Sequence, residues 1–216
     1  MHKKFSARCP DQTQENTQMK TIDLTPEEME ARTVRFKKLR PRSAMAQDKT
    51  GIPPEVSRAL AADKNYTYMA PLLPNNSVIT ENAAMRGGDA GNAISLSMAI
   101  CGPGKGPQLH AHAKTCESFF CLNGRFSITW GDKGQHETVL EPLDFIAIPP
   151  GVVRTFMNIS DDPEARLLVI IQGDRNDFGD VYFVPEVAEM LMAQFGNDIK
   201  AKLEATGRRF TAGVAE

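Results

Sequence analysis

The sequence predicts an all-β domain, an antiparallel sandwich or barrel, with short helices ahead of it and one helix behind it. Three observations carry this. From about Val78 to Gln172, short β-like segments alternate with clusters of Gly, Pro, Asn and Asp. Gly131-Asp-Lys-Gly134 separates two of these segments as a hairpin turn. Sustained helical spacing of apolar residues appears only after Pro185, at Val187, Met190, Leu191 and Phe195.

Taken in order, residues 1–20 are polar and without periodicity, which predicts a flexible segment, and Met19 is a candidate translation start. Thr25-Pro26-Glu27-Glu28 is a helix start, with Thr as N-cap, Pro in the first turn and Glu closing a capping box. Thr33–Phe36 reads as a strand, Pro53–Ala62 as a second short helix, and Asn65–Ala70 as a strand. The barrel strands are then placed at 93–100, 108–111, 117–122, 125–130, 136–140, 144–148, 154–158 and 165–172. The final helix starts at Pro185, and Ile199 and Leu203 extend its apolar stripe past Gly196.

Composition narrows the function classes. The chain has 216 residues, 41% hydrophobic and 24% charged, enough for one domain with a sizeable core. A net charge of −2 gives no global field for nucleic acid or an anionic membrane. The basic run Arg32, Arg35, Lys37, Lys38, Arg40 and Arg42 reads as a solvated face balanced by Glu27, Glu28 and Glu30. No apolar stretch has the length of a membrane span, and the N-terminus lacks the apolar core of a secretory signal. The expected location is therefore the cytoplasm, with Cys9, Cys101, Cys116 and Cys121 as reduced thiols. There is no Gly-x-Ser-x-Gly elbow for a serine hydrolase. Gly102–Pro107 lacks the Lys-Ser/Thr ending of a phosphate loop.

The chemistry concentrates in residues 104–124. On a strand, His110 and His112 point to one face, and Glu117 reaches the same point if the chain turns back after Ala113. Two imidazoles and a carboxylate suit a divalent first-row metal, and open positions beside them suit non-haem Fe(II) oxygen chemistry. Ni, Mn, Zn or Co would also be accepted by these donors. Gln108 shares the parity of the histidines, and Phe119 and Cys121 that of Glu117, so all three are candidate pocket residues.

Gly104-x5-His110-x-His112-x4-Glu117-x6-Gly124 resembles the first motif of the cupin superfamily. Leu143-Asp144-x4-Pro149-x-Gly151-x2-Arg154-x3-Asn158 resembles the second, with Leu143 where the family has Gly and Arg154 where it has a metal-binding His. The resemblance implies a double-stranded β-helix, a jelly-roll barrel over residues 78–184. It also implies an N-terminal extension at 21–77 that packs on the barrel or on the partner of a homodimer, and a helical tail at 185–216. It implies a metal on His110, His112 and Glu117 and a small-molecule substrate.

Arg154 has no lone pair for a metal, and three arrangements follow. It anchors a substrate carboxylate in the pocket, it swings outward to Asp144 or Glu141, or it pairs with Glu117 where no metal is bound. The first makes it a catalytic and pocket residue of an oxygen-dependent, dioxygenase-like enzyme acting on a small organic acid. The alternatives are a non-enzymatic small-molecule or sugar-binding cupin and a cupin isomerase, either of them with or without metal.

Overall fold

A computed structural model of the chain describes residues 21–42, 50–71 and 92–214, with the backbone of 85–86. The expectations for residues 1–20 and for the barrel's start near Val78 lie outside the described residues. The described residues fall into two compact units that divide between Thr33 and Val34. In the first, α1 (Pro26–Glu30) has the expected capping box: Thr25 Oγ1 accepts from the Glu28 N–H, and the Glu28 carboxylate accepts from the Thr25 N–H.

The second unit is the barrel with its flanking helices. α2 is Pro54–Leu60. The strands are β1 (Lys64–Ala70), β2 (Met85–Arg86), β3 (Asn92–Cys101), β4 (His110–His112), β5 (Cys116–Asn123), β6 (Phe126–Trp130), β7 (His136–Leu140), β8 (Phe145–Ile148), β9 (Arg154–Asn158), β10 (Ala165–Asp174) and β11 (Val181–Phe183). α3 is Pro185–Phe195 and α4 is Ile199–Glu204. One sheet runs β2-β1-β3-β10-β5-β8 and the other β11-β4-β9-β6-β7. Apart from the parallel β1–β2 pair, every pairing is antiparallel, as in a jelly roll. Among the described residues, no helix is long and apolar enough to cross a membrane.

Strand alternation sorts the faces. Phe119, Cys121, Phe126, Ile128, Phe156, Leu167 and Val169 fill the space between the sheets. A second cluster joins Val56, Leu60, Val187, Leu191, Ile199 and Leu203 to Ala111 and Phe183. The helices therefore cover the β4–β11 edge. Ala111 faces them, leaving the histidines on either side of it to the interior.

Two local expectations fail. Thr33–Phe36 is not a strand: its last residue opens a 3₁₀ turn, Phe36–Lys38, and among the described residues no sheet pairing reaches it. The final helix stops at Gly196, whose φ of 96° breaks the backbone, and α4 starts afresh at Ile199.

The motif departure at Leu143 has a conformational cost. It is the one non-glycine residue among those described with positive φ, 76°, and its side chain is 72% exposed. Its N–H closes onto the Cys121 carbonyl at 2.7 Å. A branched side chain in the left-handed region costs roughly 1–2 kcal/mol, partly offset by glycine's greater unfolded entropy. Leu143→Gly is expected to stabilise the fold by roughly 0.5–1 kcal/mol. Urea unfolding midpoints check this.

Candidate metal centre

β4, β5 and β9 bring four polar side chains into the barrel interior. His110 and His112 project from β4, Glu117 from β5, and Arg154 from β9 opposite His110 in register. They are 8%, 5%, 6% and 2% exposed, so each charge here needs a partner. Ligand atoms of His110, His112 and Glu117 lie within 4.8 Å of one another.

Both imidazoles are fixed from behind. The His110 Nδ1–H donates to the Gln108 carbonyl at 2.6 Å. The His112 Nδ1–H donates to Asp180 Oδ1 at 2.8 Å. In its neutral form each ring then carries its lone pair on Nε2. His112 Nε2 is 3.8 Å from Glu117 Oε1, and His110 Nε2 is 4.0 Å from Oε2. Metal bonds of about 2.0–2.2 Å place the donors of one ion roughly 3–4 Å apart; the His112–Glu117 pair already lies at that spacing, and a small inward shift of His110 within the 4.8 Å cluster would complete a set for a first-row dication. An acceptor behind each ligating imidazole is the usual support of a metal-bound histidine. Burial, then the positive charge of Arg154, pushes the His110 ring down to about 3, which keeps that lone pair free of a proton at neutral pH.

Asp180 was not among the sequence candidates. It precedes β11, which pairs with β4 so that Val181 lies opposite His112. Besides the His112 ring it accepts the Lys114 N–H, the Thr115 N–H and the Thr115 hydroxyl, at 2.7, 2.8 and 2.9 Å. Burial alone would raise its pKa. The His112 bond and the two backbone bonds outweigh that and hold the carboxyl well below its usual range. Asp180→Asn is expected to weaken metal binding by about 10–100-fold with the fold retained. Titration calorimetry with Mn(II), beside circular dichroism, checks this.

Arg154 takes the third of the three arrangements. Its Nε and Nη2 donate to Glu117 Oε2 at 3.1 and 2.5 Å, and its Nη1 donates to the His110 carbonyl at 3.3 Å. The outward pairing does not occur: Glu141 takes Arg125, and Asp144 accepts the Glu141 N–H. A guanidinium this buried needs a carboxylate at hand, and Glu117 is there. Burial alone would raise the Glu117 pKa, but Arg154, then His112 and His110, bring it below the ordinary value. Arg154 occupies Oε2 and leaves Oε1, the oxygen nearer His112, for an ion.

The other pocket candidates sit elsewhere. The Gln108 side chain donates to the Ala59 carbonyl at 3.0 Å, and its backbone N–H donates to Leu60, so it ties β4 to α2. Its carbonyl is the part that serves His110. Phe119 and Cys121 face inward as expected but are fully buried in the core. A cleft of about 190 Å³ is lined by Trp130, Ile146, Ala147, Ile148, Pro149 and Val152. Ile148 is the cross-strand neighbour of Glu117, and Trp130 that of Arg154, so this apolar cleft flanks the polar cluster.

A family model described as a cupin domain matches residues 98–171, the stretch from β3 to β10 that contains all four side chains. No curated protein sequence matches the chain. Among solved structures, a Bacillus halodurans protein aligns at 16% identity over 41% of this chain and 67% of its own, with a TM-score of 0.37. KdgF from Halomonas sp. aligns at 15% over 39% and 72%, with a TM-score of 0.34. An oxalate oxidase aligns at 16% over 53% and 62%, with a TM-score of 0.36. Overlaps this partial carry nothing about activity.

Proposed function

We propose that this chain, whose residues 98–171 match a cupin-domain model, is a metal-dependent enzyme for oxygen-dependent oxidation of a small organic acid. His110, His112 and Glu117 would hold one divalent ion, Fe(II) by preference. The observation that supports the metal is the commitment of both Nδ1 atoms to acceptors, which turns two Nε2 lone pairs toward one carboxylate. Bound there, the ion would supply open coordination positions for substrate oxygens and for O2.

The acid follows from charge balance. Arg154 already cancels Glu117. A dication added to this buried pair, with the ionised Asp180 behind His112, leaves one positive charge uncompensated, and an anionic ligand restores neutrality. Around that ligand the chain's own groups have separate tasks. Asp180 and the Gln108 carbonyl hold the imidazoles. Arg154 keeps Glu117 ionised. Trp130, Ile148 and Val152 put apolar surface beside the centre and displace water from it.

The test is elemental analysis of the purified protein, followed by oxygen uptake of the Fe(II)-loaded form with aromatic and 2-oxo acids. Stoichiometric metal and substrate-dependent uptake are expected. Metal without uptake, together with ligand-induced thermal stabilisation, would replace the enzyme by a binding protein. Absence of metal discards the centre.

A further inference from the structure

The last member of the basic run, Arg42, does not belong to the solvated face. Its Nη2 donates to Thr67 Oγ1 and Ser97 Oγ, both at 3.2 Å. Those hydroxyls are buried, and their register fixes where they are. Thr67 pairs with Ser97, Ser97 with Val169, and Val169 with Phe119. All four share the inner face of the larger sheet. One step along the same face, Ser95 pairs with Ile171 and Ile171 with Glu117. Arg42 thus enters the barrel interior on the face that carries Glu117.

From this placement we infer that Arg42 is a second anchor for the ligand, binding a distal carboxylate of a dicarboxylic acid whose other acid group lies at the His110–His112–Glu117 centre. Two strand spacings of about 4.8 Å and two residues of about 3.4 Å separate Ser97 from Glu117, roughly 12 Å between backbones. Side chains on one face stand roughly parallel, so that separation persists; an ion about 2 Å from Glu117 and a carboxylate oxygen about 3 Å from Arg42 take up part of it and leave the span of a short carbon chain.

The Arg42 Nε–H is buried and has no hydrogen-bond partner among the described residues, so one donor of the guanidinium is left to face a ligand. Arg208 adds a second cation whose charge acts on Arg42, while that of Glu117 acts in the opposite sense. Burial, then Arg208, brings Arg42 down to about 10 despite Glu117. Two half-buried cations, one of them with an idle buried donor, make an unfavourable arrangement that an anion relieves. Arg154 is spent on Glu117 and the His110 carbonyl, so the carboxylate-binding task falls to Arg42. Arg42 touches neither histidine in the hydrogen-bond pattern, which makes it a specificity residue rather than a metal ligand.

This inference rests on the metal-centre reading, and the experiment separates the two. Mn(II)-loaded wild type is titrated with malonate, succinate and glutarate, and with propionate, butyrate and valerate as monoacids of matched length. Metal content is measured on the same samples. At least one diacid is expected to bind about tenfold or more tightly than its monoacid. Arg42→Met is expected to erase that preference while leaving monoacid affinity and metal content unchanged, and Arg42→Lys to keep part of it. Stoichiometric metal with no diacid preference in wild type, or a preference that survives in Arg42→Met, overturns the inference and leaves the metal centre standing. Wild type without metal overturns both. The wild-type comparison needs no variant, so it decides even if Arg42→Met misfolds.

Discussion

An Arg154→Ala variant is expected to lose about 3–5 kcal/mol of folding stability and to recover much of it when a divalent cation is added. Arg154 is 2% exposed, and its three hydrogen bonds among the described residues end on Glu117 or the His110 carbonyl. Truncation strands the Glu117 carboxylate, which is 6% exposed, without its hydrogen-bonded cation. It must then stay ionised in a low-dielectric site or take up a proton, and both weaken folding. A dication on the His110–His112–Glu117 set supplies the missing charge. Mn(II) should therefore raise the variant's unfolding midpoint more than that of wild type. Urea unfolding of both proteins with and without Mn(II) measures this. Wild-type stability in the variant would mean that the buried pair is not a structural ion pair. A loss that Mn(II) leaves untouched would mean that Glu117 is not a ligand.

The second large effect is on metal content. His112→Ala removes a donor and also leaves Asp180 without the ring it orients. Losing only a supporting carboxylate behind a ligand costs about 10–100-fold, so losing the ligand itself is expected to exceed about a hundredfold and leave the purified protein without stoichiometric metal. The β4 backbone keeps its pairing with β11 and β9, so circular dichroism should be unchanged. Full metal content in this variant removes His112 from the centre.

What could be read from the sequence divides along the range of the interactions. His136–Leu140 and Arg154–Asn158 fall where alternation and turn residues place them, and Pro185–Phe195 follows its apolar spacing. These are local signals. The grouping of His110, His112 and Glu117 was legible because one short turn joins their strands. Gln108 was misplaced because parity holds only within a strand, and β4 starts at His110. Phe119 and Cys121 do share the face of Glu117, but alternation cannot tell a cavity wall from a filled core.

Asp180 and Arg42 went unrecognised for a different reason. Asp180 meets His112 across 68 residues of chain, through a three-residue strand with no marked pattern. Arg42 lies in a run whose members Arg32, Arg35, Lys37, Lys38 and Arg40 are exposed, and nothing local marks the last one as turning inward. Leu143 carried its signal openly, since a departure from a motif glycine leaves the turn to be made by a residue that resists it.

The β4–β11 pairing has a consequence for where this protein can be cut. Every proposed ligand lies before Gln172, within the stretch that matches the family. The carboxylate steering one imidazole, and the strand bordering both, come from beyond it. A fragment ending there would retain the donors and forfeit their aim. Transplanting the centre into another scaffold therefore requires residues 175–183 to travel with it.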